Sequence, residues 1–165
     1  MTPTAMRTHM CGDLRQAHVG QQVSVCGWVG RRREHGEHLA FVDLRDHTGI
    51  VQCVIDNGTD VRSEYVVRIT GTVRSRPEGT VNEGIATGQV EIGECSVEIL
   101  NIAEPPPFPV DARADDVDEA IRLRHRYIDI RRERMQRNLR IRASINSAIR
   151  REMESNGFLE VETPF

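Results

Sequence analysis

Lysine is absent from this chain, and all 22 of its basic side chains are arginine. Codon usage can produce such a bias, but a guanidinium also suits planar, bidentate and stacking contacts to phosphate and base. A positive charge balance is missing as well. The formal net charge of −3 at pH 7 excludes a generally basic, DNA-coating protein and confines any nucleic-acid surface to a local patch. The four cysteines, Cys11, Cys26, Cys53 and Cys95, include no CxxC and no close pair. They read as small core residues of a reducing compartment rather than as a zinc site or a disulfide framework. No apolar run is long enough to cross a bilayer, and the opening MTPTAMRTHMCGD lacks a signal-peptide core. A soluble, cytoplasmic protein without a membrane partner is expected. The phosphate loop GxxxxGKS/T, the dinucleotide fingerprint GxGxxG and the hydrolase signatures HExxH and GxSxG are also missing.

What is present is a strong alternation over residues 23–56, broken at His35-Gly36 and again over Asp46-His47-Thr48-Gly49. This predicts three antiparallel strands joined by short turns. Ala40, Val42 and Leu44 share the buried face of the second strand, so Phe41, Asp43 and Arg45 point outward. On the third strand Val51, Cys53 and Ile55 form the core set, which turns Gln52 outward beside Phe41. An aromatic ring on a polar face, flanked by Arg31, Arg32, Arg33 and an amide, suits the stacking of an unpaired base with a phosphate close by. Two plainer readings stand beside it. Phe41 could cover the barrel against the leader or linker, and the three arginines could block edge pairing. Trp28 reads as a packing residue.

Along the rest of the chain, residues 1–10 read as a flexible leader and Asp13 as a cap for a short helix over residues 14–18. Gly27 and Gly30 stand where the first strand can bulge and coil. About one helical turn is predicted over residues 60–64, a fourth strand over 65–76, a long exposed loop over 77–88, and a fifth strand over 89–100 with a bulge at Gly93. Five short strands in this arrangement predict a mainly β fold, a closed Greek-key barrel of the OB type, whose strand 2–3 face commonly holds single-stranded nucleic acid. The proline-rich run beginning at Glu104 predicts a stiff linker. Helices are expected over residues 117–129 and 133–156, the second with an apolar stripe of Leu139, Ile141, Ile145, Ala148, Ile149 and Met153. A strand is expected to begin at Phe158. One helix pair and a nascent strand do not enclose a core, so the chain reads as the front part of something longer.

In order along the chain, CGDLRxxxVGQQVxVCGWVGRRR, FVDLRDxTGIVQ, ITGTVRxRPEG, ATGQVEI, RLRHRYIDIRR and NGFLEVETPF closely resemble the N-terminal part of the bacterial-type aspartate-tRNA ligases of class II. The resemblance implies an anticodon-binding barrel over residues 1–102, a hinge over 103–132 and the start of an α+β catalytic domain, motif 1, over 133–165. It implies that Phe41 stacks on an anticodon base and that Gln52 meets the central uridine. It further implies that Arg31, Arg33, Arg74 and Arg76 contact anticodon bases or phosphates, and that Glu78 and Glu91 accept from base edges. Thr80 stands where the family often has asparagine. His35 with Gly36, and Gly79 after Glu78, resemble the loops of members that charge both tRNA(Asp) and tRNA(Asn), and Pro164 matches the motif 1 proline of a homodimer. ATP and magnesium belong to motifs 2 and 3 of the full-length enzyme, which the resemblance puts downstream. No catalytic residue, metal or cofactor is therefore expected in these 165 residues, and aspartate-dependent pyrophosphate exchange by the chain alone would contradict that. Asparagine-tRNA ligase shares the barrel, and a stand-alone single-strand-binding module remains a reading of a different class.

Overall fold

Alternating burial closes the first half of the chain on itself. The strands β1 (Gln22–His35), β2 (Leu39–Arg45), β3 (Ile50–Asp56), β4 (Val66–Ser75) and β5 (Val90–Asn101) form a closed barrel in the order β1-β2-β3-β5-β4. The computed structural model describes residues 6–164. All neighbours pair antiparallel except β3 and β5, which meet in parallel at Cys53 and Ile92. This is the five-stranded OB-type barrel that the alternation predicts. Its core interleaves Val23, Val25, Val29, Ala40, Val42, Leu44, Val51, Cys53, Ile55, Val67, Ile69, Val73, Val90 and Ile92, each at most 1% exposed. Fully burying each large aliphatic side chain contributes about 1.5–3 kcal/mol. Cys11, Leu14 and Val61 join the same cluster.

One irregularity decides which arginines face outward. The register between β1 and β2 shifts between Val29 and Arg31, a bulge at Gly30. Before it the odd residues Val23, Val25 and Val29 point inward, and after it Arg32 pairs with the core residue Val42 while Arg31 and Arg33 pair with Asp43 and Phe41. A one-residue insertion flips every later side chain to the other face. Arg31 and Arg33 thus flank the outer face, whereas Arg32 turns away to Asn57, donating from Nη2 to its carbonyl at 2.8 Å and its Oδ1 at 2.7 Å. A second bulge lies where expected, just after Gly93. Thr72 pairs with Gly93 and Thr70 with Ser96, with Glu94 at φ 53° between them.

Several local expectations are revised. Residues 6–10 are not a free leader: Thr8 N–H donates to the Ser24 carbonyl at 2.8 Å and Cys26 Sγ lies 3.3 Å from the Met6 carbonyl, so this segment covers β1. Residues 1–5 lie outside the described residues. In place of one helix capped by Asp13 there are two short 3₁₀ turns, Cys11–Asp13 and Gln16–His18. The first is tied down by Asp46, whose carboxylate accepts from the Cys11 N–H at 2.7 Å and from the Thr48 N–H and hydroxyl at 2.8 and 2.6 Å. Residues 60–64 form no helical turn, because Glu64 adopts φ 67° and its N–H donates to the Val29 carbonyl at 2.7 Å. The loop after β4 is exposed at its tip, yet its far end docks through Thr87, 1% exposed, whose hydroxyl donates to the Ile50 carbonyl at 2.5 Å. Trp28, expected to pack, keeps 39% of its surface exposed.

The chain divides into two compact units, the barrel unit reaching Pro105 and the second beginning at Pro106. In the second, Phe108, Val110, Ala114 and Ile128 make a small core. The helix expected over 117–129 is broken at His125, with φ −110° and ψ 45°, into α1 (Glu119–Arg124) and α2 (Arg126–Asp129), preceded by a 3₁₀ turn Ala112–Asp116. The break lets Asp129, 1% exposed, accept from Arg132 Nη1 at 2.9 Å and Arg126 Nη1 at 2.7 Å, while Arg132 also donates to Asp115. Removing one member of such a buried pair typically costs about 3–5 kcal/mol. The long α3 (Glu133–Ser155) carries its apolar stripe as expected, with Leu139, Ile141, Ile145, Ile149 and Met153 between 41% and 57% exposed. No strand forms over residues 158–164, since a strand needs a hydrogen-bonding neighbour and none of the described residues supplies one. No described helix is long and apolar enough to cross a membrane.

Candidate nucleic-acid interface

The outer faces of β1, β2 and β3, with the adjoining ends of β4 and β5, carry a connected set of polar side chains. At its edge Phe41 is partly exposed, paired in register with Arg33 on one side and Val54 on the other. Its ring lies 5.2 Å from that of His35, tilted by 54°. Aromatic pairs tolerate such offset and tilted arrangements.

Next to the ring runs a chain of hydrogen bonds in which every donor and acceptor is fixed by chemistry. Arg33 Nη2 donates to Asp43 Oδ1 at 2.7 Å and to Gln52 Oε1 at 3.1 Å. Gln52 Nε2 donates to Glu91 Oε2 at 2.8 Å, and Arg74 Nε donates to Glu91 Oε1 at 2.8 Å. Gln52 is 8% and Glu91 2% exposed, so both lie far deeper than outward-facing strand positions usually do. Arg33 bonds to the first and Arg74 to the second from other strands, while the Arg74 side chain itself stays 51% exposed. The β5 glycine beneath makes room: a Cβ on Gly93 would stand 2.9 Å from Arg74 Nε and 3.0 Å from its Cδ and Cζ.

The electrostatics are tight. Burial raises the Asp43 carboxyl above its ordinary value against the opposing pull of Arg33, Arg76 and Arg31. Burial likewise lowers Arg76, with Glu91 and Asp43 working the other way and Arg33 adding to the drop. Arg76, just past the end of β4, is held to the start of β5, its Nε donating to the Val90 carbonyl at 3.2 Å. Arg33 Nε is buried without a hydrogen-bond partner. A desolvated donor of this kind is costly to leave unmade.

Of the residues singled out in the sequence, Arg33, Phe41, Gln52, Arg74, Arg76 and Glu91 come together on this face. Arg31 is exposed beside Asp43, its register partner. Glu78, Gly79 and Thr80 form an exposed turn after β4, with Gly79 at φ 79° and the Thr80 hydroxyl donating to the Pro77 carbonyl at 2.8 Å. His35 ends β1, against Phe41. Pro164 is exposed in the second unit. Gln52 does turn to the outer face, diagonal to Phe41 as the register partner of Asp43, but it lies nearly buried there, which the sequence reading did not foresee. That reading also missed Asp43 as a member of the site, although the outward position of Asp43 between two arginine-bearing strands was a usable signal. Among the described residues no group of three or more histidine, cysteine, aspartate or glutamate side chains could hold a metal ion.

Residues 23–100 match the OB-fold nucleic acid binding domain family, and residues 118–165 match the class II tRNA synthetases (D, K and N). The chain is similar in structure to an aspartyl-tRNA synthetase from Entamoeba histolytica, with TM-score 0.84 and 20% identity over 98% of this chain and 40% of that one. It is also similar to a putative aspartyl-tRNA synthetase from Leishmania major Friedlin, with TM-score 0.81 and 20% identity over 99% of this chain and 36% of that one. A third similar structure is asparaginyl-tRNA synthetase from Pyrococcus horikoshii complexed with asparaginyl-adenylate, with TM-score 0.77 and 22% identity over 94% of this chain and 36% of that one. The chain thus spans 36% to 40% of the length of these structures, and at such identities the likeness is one of fold.

Proposed function

We propose that this chain, an anticodon-binding OB-fold domain joined to the opening of a class II tRNA synthetase (D, K and N) domain, is the anticodon-reading part of an aspartate-tRNA ligase. The observation that carries the reading is the polar chain from Asp43 to Arg74, buried at Gln52 and Glu91, beside the partly exposed Phe41 ring. Folding does not need a nearly buried glutamate and glutamine on the outside of a barrel, whereas reading base edges does.

In this mechanism the three anticodon bases unstack and splay over β1, β2 and β3. Phe41 stacks on one base, a contact that contributes on the order of 1–3 kcal/mol. Gln52 offers its amide to the central uridine, while Glu91 and, from the loop, Glu78 and Thr80 meet base edges. Arg31, Arg33, Arg74 and Arg76 meet bases or phosphates. His35 and Gly79 flank this surface and leave room for tRNA(Asn) as well as tRNA(Asp). In the full enzyme, working in the cytoplasm as a homodimer with Pro164 near the two-fold axis, aspartate is activated with ATP and magnesium and passed to the tRNA. None of the base-reading steps requires either.

The aspartate reading draws on the triple arginine Arg31, Arg32 and Arg33 and on the segment VGQQV at residues 19–23. The sibling reading, asparagine-tRNA ligase, uses the same barrel. A stand-alone single-strand binder has no need for the class II segment at 118–165. Filter binding of the chain to stem-loops with GUC and GUU anticodons, over a salt series, tests all three. The aspartate reading expects the GUC loop to bind, with log Kd changing by about 0.7 per released phosphate contact for each tenfold change in salt. Clear preference for GUU would favour the asparagine enzyme. Equal binding of GUC and GUU is what charging of both tRNAs expects, whereas equally tight binding of a third stem-loop with an unrelated anticodon would refute anticodon reading.

A further inference from the structure

Asp43 takes no part in the base contacts proposed above, yet three guanidinium groups gather around it. Arg33 is ion-paired to it at 2.7 Å, Arg31 is its register partner, and Arg76 lies close enough to oppose the rise that burial causes in its pKa. A carboxylate on an RNA-binding face repels phosphate, so its presence there asks for a reason.

The reason lies one bond further along. Arginine has donors only, so the amide group that meets Arg33 Nη2 at 3.1 Å must be the Gln52 carbonyl oxygen. An ionised glutamate has acceptors only, so the group that meets Glu91 Oε2 at 2.8 Å must be the Gln52 amino group. Held at both ends, the Gln52 amide has one orientation. Its oxygen keeps one lone pair and its nitrogen one hydrogen for a ligand. That pair complements an N–H beside a carbonyl, which is the pairing edge of uracil. Cytosine presents a ring nitrogen acceptor beside an amino group and would need the amide reversed.

We infer that Asp43 is a positioning residue for base specificity, holding Arg33 against Gln52 so that the amide can read uracil and refuse cytosine. The inference rests on Gln52 facing the central anticodon base, as proposed above. Without Asp43, the cations of Arg31, Arg33 and Arg76 repel one another, and Arg33, whose side chain is 40% exposed, is free to leave Gln52. A released Arg33 can also donate to the ring nitrogen and carbonyl of cytosine. Selectivity then falls while overall affinity for RNA does not, because a negative charge has gone from the surface.

Fluorescence anisotropy of the full chain with a GUC stem-loop and with the same stem-loop carrying GCC reads this directly. Wild type should prefer the uridine loop by roughly tenfold, the scale of one bidentate base contact. Asp43→Ala, and the nearly isosteric Asp43→Asn as a check against misfolding, should bring the ratio to within about threefold by gaining affinity for GCC, and Asp43→Glu should retain most of the preference. An unchanged ratio in Asp43→Ala and Asp43→Asn, or equal weakening of both loops, overturns the inference alone. Wild type that binds neither loop overturns the anticodon reading and this inference with it.

Discussion

Replacing Gly93 with alanine should damage the barrel's polar face through a neighbour it never bonds to. The added Cβ would stand 2.9 Å from Arg74 Nε, too close for both to stay. Arg74 can yield, because its side chain is 51% exposed, but the Glu91 carboxylate it leaves is 3% exposed and keeps only the Gln52 amide. Losing a hydrogen bond to a charged group costs about 1.5–3 kcal/mol, and the exposure of Arg74 argues for the lower end. Alanine recovers roughly 0.5–1 kcal/mol of backbone entropy relative to glycine within a strand. The net loss is about 1 kcal/mol. Urea unfolding followed through Trp28, the single tryptophan, measures it. The decisive comparison is a double-mutant cycle. In an Arg74→Ala background the Cβ meets nothing from that side chain, so Gly93→Ala should cost nothing or stabilise slightly. An equal cost in both backgrounds would refute the steric argument.

Phe41→Ala should weaken binding of a GUC stem-loop by about 5- to 150-fold, the equivalent of one stacked base, with little change in the unfolding midpoint; equal affinity would count against stacking. Val42→Ala, one residue away but 0% exposed in the core, should instead lower stability by about 2 kcal/mol, seen as an earlier urea midpoint with an unchanged slope. For Asp46, burial alone would raise the carboxyl, but hydrogen bonds from Thr48 and Cys11 outweigh it and hold it below its ordinary value. A carboxylate lowered on folding stabilises above its unfolded pKa of about 3.9 and loses that contribution as pH falls through the lower folded value. Thermal melts should therefore show wild type losing more stability than Asp46→Asn between pH 5 and about pH 3, and identical pH profiles would remove Asp46 from the account.

The barrel was legible because each strand buries one face, so the alternation of Ala40, Val42 and Leu44 or of Val51, Cys53 and Ile55 carries the register by itself. Gly30 was a readable bulge signal, yet its consequence, that Arg32 leaves the face shared by Arg31 and Arg33, requires knowing where along β1 the partner strand changes. The depth of Gln52 and Glu91 was not legible. It goes with bonds from Arg33 and Arg74 on other strands, and periodicity says which way a side chain points, not what it meets there. The break at His125 escaped because the apolar spacing of residues 117–129 runs through it, while the buried Asp129–Arg132 pair sets the geometry. Residues 158–164 have strand-like composition, but composition cannot supply a neighbour to pair with.

Amide chemical-shift mapping by NMR, with the chain titrated by a GUC stem-loop, locates the RNA on the barrel. The largest changes should fall on residues 31–33, 41–43, 52, 74–76 and 91, on the outer face around the Asp43-to-Arg74 chain. Changes gathered instead around the open cavity of about 560 Å³ lined by Arg62, Tyr65 and Ile102, or along α3, would contradict that placement.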